Sequence, residues 1–117
     1  GTVIARDHNR CEELHDPTAH AELLCIRAGA ALLNGRLTDC TLYVTMEPCA
    51  MCAGAAVNAR LGRLAFGAFD ERAGCCGSVL ELTEGSFLHS VETWGGVRER
   101  ECAALLTAFF EAKRRNG

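Results

Sequence analysis

The chain reads as an α/β protein, a sheet covered on both faces by helices. Three observations predict this. Short β-branched and aromatic runs alternate with longer stretches of helical periodicity. Strands and helices follow one another along the whole length, with no repeat, linker or low-complexity segment. The 117 residues, 49% of them apolar, suit one domain with enough apolar material for a core.

The elements follow in order. Residues 2–6 (Thr-Val-Ile-Ala-Arg) read as a strand, and residues 7–16 as a polar loop. Asp16 is an N-cap candidate with Pro17 at the first helical position. The helix they open runs to about residue 34, with Leu23, Leu24, Ala28, Ala31 and Leu32 at helical spacing. Residues 40–45 form a clear strand. Pro48 opens a second helix over residues 49–59, rich in Ala and Gly and expected to be buried. Residues 64–69 are another strand. Gly74 and Gly77 break the chain, a short helical turn follows at residues 79–82, and residues 91–94 make a short strand. A final amphipathic helix spans residues 97–115, with Cys102, Leu105, Leu106 and Phe109 on its apolar face.

Composition excludes several classes. No run of 18 apolar residues is present, so no membrane span is expected. The N-terminus has no basic segment followed by an apolar run, so no signal peptide is expected. Eight cysteines in a chain with helical and strand patterns fit a reducing cytoplasm better than a disulfide framework. Cys11, Cys25, Cys40, Cys75, Cys76 and Cys102 have no second ligand-like spacing and read as small, partly buried residues; Cys75-Cys76 as a second metal or redox feature is the rarer alternative. The net charge of −3 argues against whole-protein electrostatic binding of nucleic acid. Lys113, Arg114 and Arg115 form the only basic cluster, which is equally readable as a solubilising helix terminus.

Two short motifs carry chemistry. His20-Ala21-Glu22 supplies an imidazole and a carboxylate; Pro48-Cys49-Ala50-Met51-Cys52 supplies two thiols three residues apart, on one face of a helical turn. His20, Cys49 and Cys52 are three ligands for Zn²⁺, one fewer than a closed structural site, which leaves the fourth position for water. Such a zinc lowers the pKa of water from 15.7 to about 7. Glu22 is then placed to move that water's protons without ligating metal. A helix N-terminus at Cys49 also favours thiolate over thiol.

The pattern H-x-E…P-C-x-x-C resembles that of zinc nucleobase deaminases. The resemblance extends to His15-Asp16-Pro17-Thr18-Ala19-His20-Ala21-Glu22, to Glu47-Pro48-Cys49-Ala50-Met51-Cys52-Ala53-Gly54-Ala55 and to Glu101-Cys102-Ala103-Ala104-Leu105-Leu106. Over essentially its whole length the chain is similar to the bacterial tRNA-specific adenosine deaminases of the cytidine deaminase-like superfamily. That resemblance implies a three-layer sandwich with a mixed sheet and helices on both faces. It implies a hydrolase that converts the wobble adenosine of tRNA to inosine, with one Zn²⁺ per chain, as a cytoplasmic homodimer acting on the tRNA anticodon stem-loop. Motif by motif, His20, Cys49 and Cys52 match the zinc ligands and Glu22 the proton shuttle. Asn9 matches a contact to the flipped nucleoside, and the backbone at Ala21 and Pro48 lines its pocket. Asp70, His89, Lys113 and Arg114 match RNA-contacting positions. From the residues alone Asn9 is a turn residue and Asp70 a helix cap.

The chain also departs from the family. His89 lacks the flanking Asn and Arg, Glu111 stands where a basic residue is common, and Cys75-Cys76 replaces a small pair. Residues 1–117 are expected to be a single zinc-dependent deaminase domain, with the family's N-terminal helix and first strand missing and residues 2–6 left as a sheet edge. A small-molecule deaminase of guanine or cytosine type shares the zinc site and suits the acidic charge. A catalytically dead partner subunit is the third reading, and Glu22 argues against it.

Overall fold

The computed structural model describes residues 1–85 and 87–116, without the side chains of Arg115 and Asn116; Arg115's part in the basic cluster therefore lies outside the described residues. Along the chain come α1 (Cys11–Leu14), α2 (Ala21–Leu32), β1 (Thr41–Met46), α3 (Ala50–Asn58), β2 (Arg63–Ala68), β3 (Glu92–Trp94) and α4 (Glu99–Asn116). The strands form one sheet in the order β1-β2-β3. Both pairings are parallel, with Thr41 opposite Arg63, Met46 opposite Ala68 and Ala65 opposite Trp94. The sheet is thus not mixed among the described residues. The segment expected to add a further strand, residues 2–6, pairs with nothing; Ile4 instead lies over α2, its Cδ1 3.6 Å from where a Cβ on Gly29 would stand.

Local chemistry moved several boundaries. The helix expected from Asp16 begins at Ala21. Asp16 Oδ1 accepts from Thr18 N (2.8 Å) and Thr18 Oγ1 (2.7 Å), and its carbonyl accepts from Ala19 N (3.1 Å). The side chain closes a tight turn on itself, the usual competitor of helix capping for Asp. Within the expected loop 7–16, Asn9 Oδ1 accepts from Cys11 N (2.9 Å) and helps start the one-turn helix α1. The helical turn expected at 79–82 is absent. Gly77, at φ +129°, reverses the chain, Gly77 N donates to Leu80 O (2.9 Å), and Cys76 bridges Glu81 in antiparallel fashion.

The core gathers on β2. Leu64 and Phe66 are fully buried with Ile26 of α2, Ala56 and Val57 of α3, and Leu61, Leu37 and Val91. Burying each large side chain of this kind is worth about 1.5–3 kcal/mol. Fully buried Ala53 and Ala56 suit the close contact of α3 with α2. α4 packs on β2 and β1. Its expected apolar face divides: Cys102 and Leu106 are half-buried, whereas Leu105 and Phe109 stay 64% and 54% exposed.

Gly67 is what admits α4. A Cβ there would lie 2.3 Å from Cys102 Sγ and 2.5 Å from Cys102 Cβ. Gly54, inside α3, would meet nothing within 4 Å. Gly67→Ala is therefore expected to lower stability by about 1–3 kcal/mol through overpacking. Gly54→Ala should be neutral or stabilising by up to about 1 kcal/mol. Urea midpoints of the two variants check this; equal shifts would refute the packing account.

Candidate metal centre

Two helix N-termini converge. His20 is the N-cap residue of α2 and Cys49 that of α3, both in extended conformation (φ −72°, ψ 149° and φ −77°, ψ 179°). Neither uses its side chain to cap its helix, so imidazole and thiol project away from the backbone donors. Cys52 follows in the first turn of α3 and is buried. His20 Nδ1 lies 3.5 Å from Cys49 Sγ and 3.6 Å from Cys52 Sγ. All three donor atoms lie within 4.8 Å of one another, the one such cluster among the described residues. With Zn–S near 2.3 Å and Zn–N near 2.0–2.1 Å, a tetrahedral ion separates sulfur from nitrogen by about 3.6 Å. The donor set therefore fits zinc in kind and in spacing.

The electrostatics point the same way. Burial first, and then the charges of Glu22 and Cys49, push the Cys52 thiol up. A divalent cation at these donors would offset that penalty and favour the thiolate. Glu22, half-buried in the first turn of α2, lines a small pocket of about 100 Å³ with Ala21, Asp7, Cys25 and the middle residues of β1. Among the described residues it makes no hydrogen bond or ion pair, which leaves its carboxylate free to handle protons.

A second carboxylate holds the site's frame. Glu47 is buried at 3% exposure, between β1 and Pro48. Its Oε1 accepts from Asp70 N (3.0 Å) and Ser78 Oγ (2.5 Å), and its Oε2 from Cys76 N (3.0 Å) and Ser78 N (3.1 Å). Burial works to raise this carboxyl's pKa; the four hydrogen bonds outweigh it and hold the group below its ordinary value. Gly74 is required beside it, since a Cβ there would come 2.4 Å from Glu47 Cδ and 2.5 Å from Asp70 O. Cys75 N donates to Pro48 O (2.8 Å), so the 70–78 loop is laced directly to the Pro48-Cys49 turn. Sequence reading gave Glu47 no role. Its signal is an acidic residue ending an apolar strand and directly preceding the cysteine motif.

Comparison with known proteins agrees with this geometry. A family model described as MafB19-like deaminase matches residues 1–114. A tRNA-specific adenosine deaminase of Bacillus subtilis (strain 168) is 48% identical over 98% of this chain and 73% of its own length. The chain belongs to the tRNA-specific adenosine deaminase family. A solved structure from work on A-to-I editing by tRNA:A34 deaminases at the wobble position superposes with a TM-score of 0.82 at 43% identity, covering 89% of this chain and 77% of that one. A guanine deaminase from Nitrosomonas europaea, 22% identical with a TM-score of 0.72 over 86% of this chain and 61% of its own, shares the fold.

Within this family member, the other expected site residues scatter. Ala21 lines the Glu22 pocket, and Pro48 is buried at the entry to α3. Asn9 is exposed and holds Cys11 N, and Asp70 Oδ1 accepts from Arg72 N (3.0 Å) and Ala73 N (3.2 Å), capping the 71–73 turn. His89 Nε2 donates to Leu61 O (2.8 Å), beyond the C-terminal end of α3 and away from Cys49. Lys113 pairs with Glu12 (2.6 Å), and Arg114 is exposed beside it. All eight cysteines are free, with Cys75 buried and Cys76 half-buried. Burial pushes the Cys76 thiol up to about 12.

Glu47→Gln puts an amide NH₂ against hydrogen-bond donors. Each buried donor left unsatisfied costs about 1–3 kcal/mol, so the variant should lose about 3 kcal/mol at neutral pH. Because the folded-state pKa is lowered, the wild type's gain is full above the unfolded carboxyl value and disappears as pH falls through the folded one. The penalty should accordingly shrink in acid. Urea midpoints measured at pH 7 and pH 3 check both points; a penalty independent of pH would refute the assignment.

Proposed function

We propose that the protein is a zinc-dependent hydrolytic deaminase that converts adenosine to inosine at the wobble position of tRNA. The carrying observation is the His20, Cys49, Cys52 cluster, one donor short of a closed tetrahedron, with an unpaired carboxylate on the neighbouring helical turn. Membership of a family whose relatives are named tRNA-specific adenosine deaminases supports the substrate. A zinc ion held by His20, Cys49 and Cys52, one per chain, supplies Lewis acidity that brings water's pKa to about 7. Glu22 takes the proton from water as its oxygen attacks C6 of adenine. The same carboxylate returns protons to the ring nitrogen and to the departing amine, so adenosine and water give inosine and ammonia.

Asn9, Ala21 and Pro48 surround the flipped base in this reading, while Asp70, His89, Lys113 and Arg114 serve the surrounding anticodon stem-loop. A single-stranded loop lowers the cost of extruding the base. The fold is a three-layer sandwich, α4 on one face of the sheet and α2 with α3 on the other. Among the described residues no helix is long and apolar enough to cross a membrane. The protein acts as a homodimer in the cytoplasm.

Metal-loaded protein incubated with an anticodon stem-loop, free adenosine, guanine and cytosine should release ammonia from the RNA. Release from a free base alone would refute the reading. Glu22→Ala should keep its zinc by elemental analysis and lose about 10²–10⁴-fold in turnover. Cys49→Ala should lose the zinc itself.

A further inference from the structure

Apart from the donor cluster, an open groove of about 990 Å³ lies between α1, the 71–73 turn and the end of α4. Arg72, Lys113 and Arg114 bring three cations to it; Glu12 is the one acid among its described lining residues. Its aromatic residues, Phe109 and Phe110, are 54% and 48% exposed. They meet edge to face, centroids 5.4 Å apart at 68°, which leaves two differently oriented rings open to a ligand. Lys113 Nζ stands 5.7 Å over the Phe109 ring and 2.6 Å from Glu12 Oε1, tying α4 to a residue 101 positions earlier. The ion pair holds the Glu12 carboxyl below its ordinary value. In a chain of net charge −3, three cations around exposed rings match a nucleic-acid strand, whose phosphates take the cations and whose bases stack. A second copy of the chain would bring the same cations to the same place.

Resting on the RNA reading above, we propose that Glu12 is an internal competitor of phosphate for Lys113: RNA outside the metal pocket enters this aromatic groove by displacing Glu12 from the lysine. The carboxylate then acts as a charge gate. It keeps Lys113 paired over Phe109 in the free protein and sets a threshold that only a strand offering both a phosphate and a stacking base overcomes. Both partners are solvent-exposed, so the gate is weak and adjustable by salt.

The test is binding of a labelled anticodon stem-loop to zinc-loaded protein by fluorescence anisotropy across a salt series. Wild type, Glu12→Gln, Lys113→Gln and the double variant are compared. Glu12→Gln should tighten binding about two- to fivefold at low salt, the range set by one exposed ion pair. Its log–log salt slope should steepen by up to about 0.7, the single-strand increment per phosphate, because in wild type the displaced Glu12 carboxylate takes up a counterion that offsets the one released from the phosphate. Lys113→Gln should weaken binding, and in that background Glu12→Gln should have no effect. If wild type binds RNA and Glu12→Gln binds equally or less tightly, or if its gain survives without Lys113, the gate is overturned while the RNA reading stands. If Glu12→Gln drives self-association in sedimentation and leaves RNA binding unchanged, the groove is a protein contact and the proposal fails. If wild type binds no stem-loop at any salt, the RNA reading and the gate fall together.

Discussion

A buried carboxylate accepting four hydrogen bonds stands immediately before the proline that opens α3. Glu47 joins the end of β1 to the 70–78 loop, and with it the turn that carries Cys49. Removing a carboxylate from water is costly, and only donors aimed at both oxygens make it tolerable. The loop therefore has to supply Asp70 N, Cys76 N and Ser78 N at fixed positions, and Gly74 has to lack a side chain for the loop to come so close. The donor cluster's position rests on this connection, since Cys75 N and Pro48 O complete the same lacing.

The donor cluster itself is a product of helix placement. Parallel pairing of β1 and β2 requires a crossover, and α3 is that crossover. Its N-terminus emerges at the C-terminal end of β1, where α/β sheets hold their sites. Contact with α2 then brings His20 opposite Cys49 and Cys52. Both ligands at N-cap positions have extended backbones, so each side chain leaves its helix toward the other. The partial positive charge of two helix ends favours negative charge on side chains placed there.

The donor cluster and the other residues singled out in the sequence are held differently. The donor set and the Glu22 pocket are held by packed helices. Asn9, Asp70, Lys113 and Arg114 sit on turns and a helix end, each occupied by a local hydrogen bond, an ion pair or solvent. Rigid placement suits proton transfer, which is sensitive to small displacements.

Much of this was legible in the residues. The H-x-E and P-C-x-x-C motifs marked His20, Glu22, Cys49 and Cys52 by their resemblance to a known pattern, and the strong strands followed from their apolar runs, α3 from Pro48 and α4 from its amphipathic period. The failures were of two kinds. Asp16 was ambiguous locally, since a short polar side chain closes a turn as readily as it caps a helix. Residues 2–6, Glu47, Gly67 and the exposed half of α4 depended on partners distant in sequence. A strand exists only where another strand accepts its hydrogen bonds, and a buried carboxylate is possible only where a loop 23 to 31 residues away brings its amides. The sequence by itself determined which residues offer a metal-type donor set, because that is a matter of donor type and short spacing. Tertiary structure alone decided how those atoms are held and which charges face solvent, because those depend on contacts that no local pattern encodes.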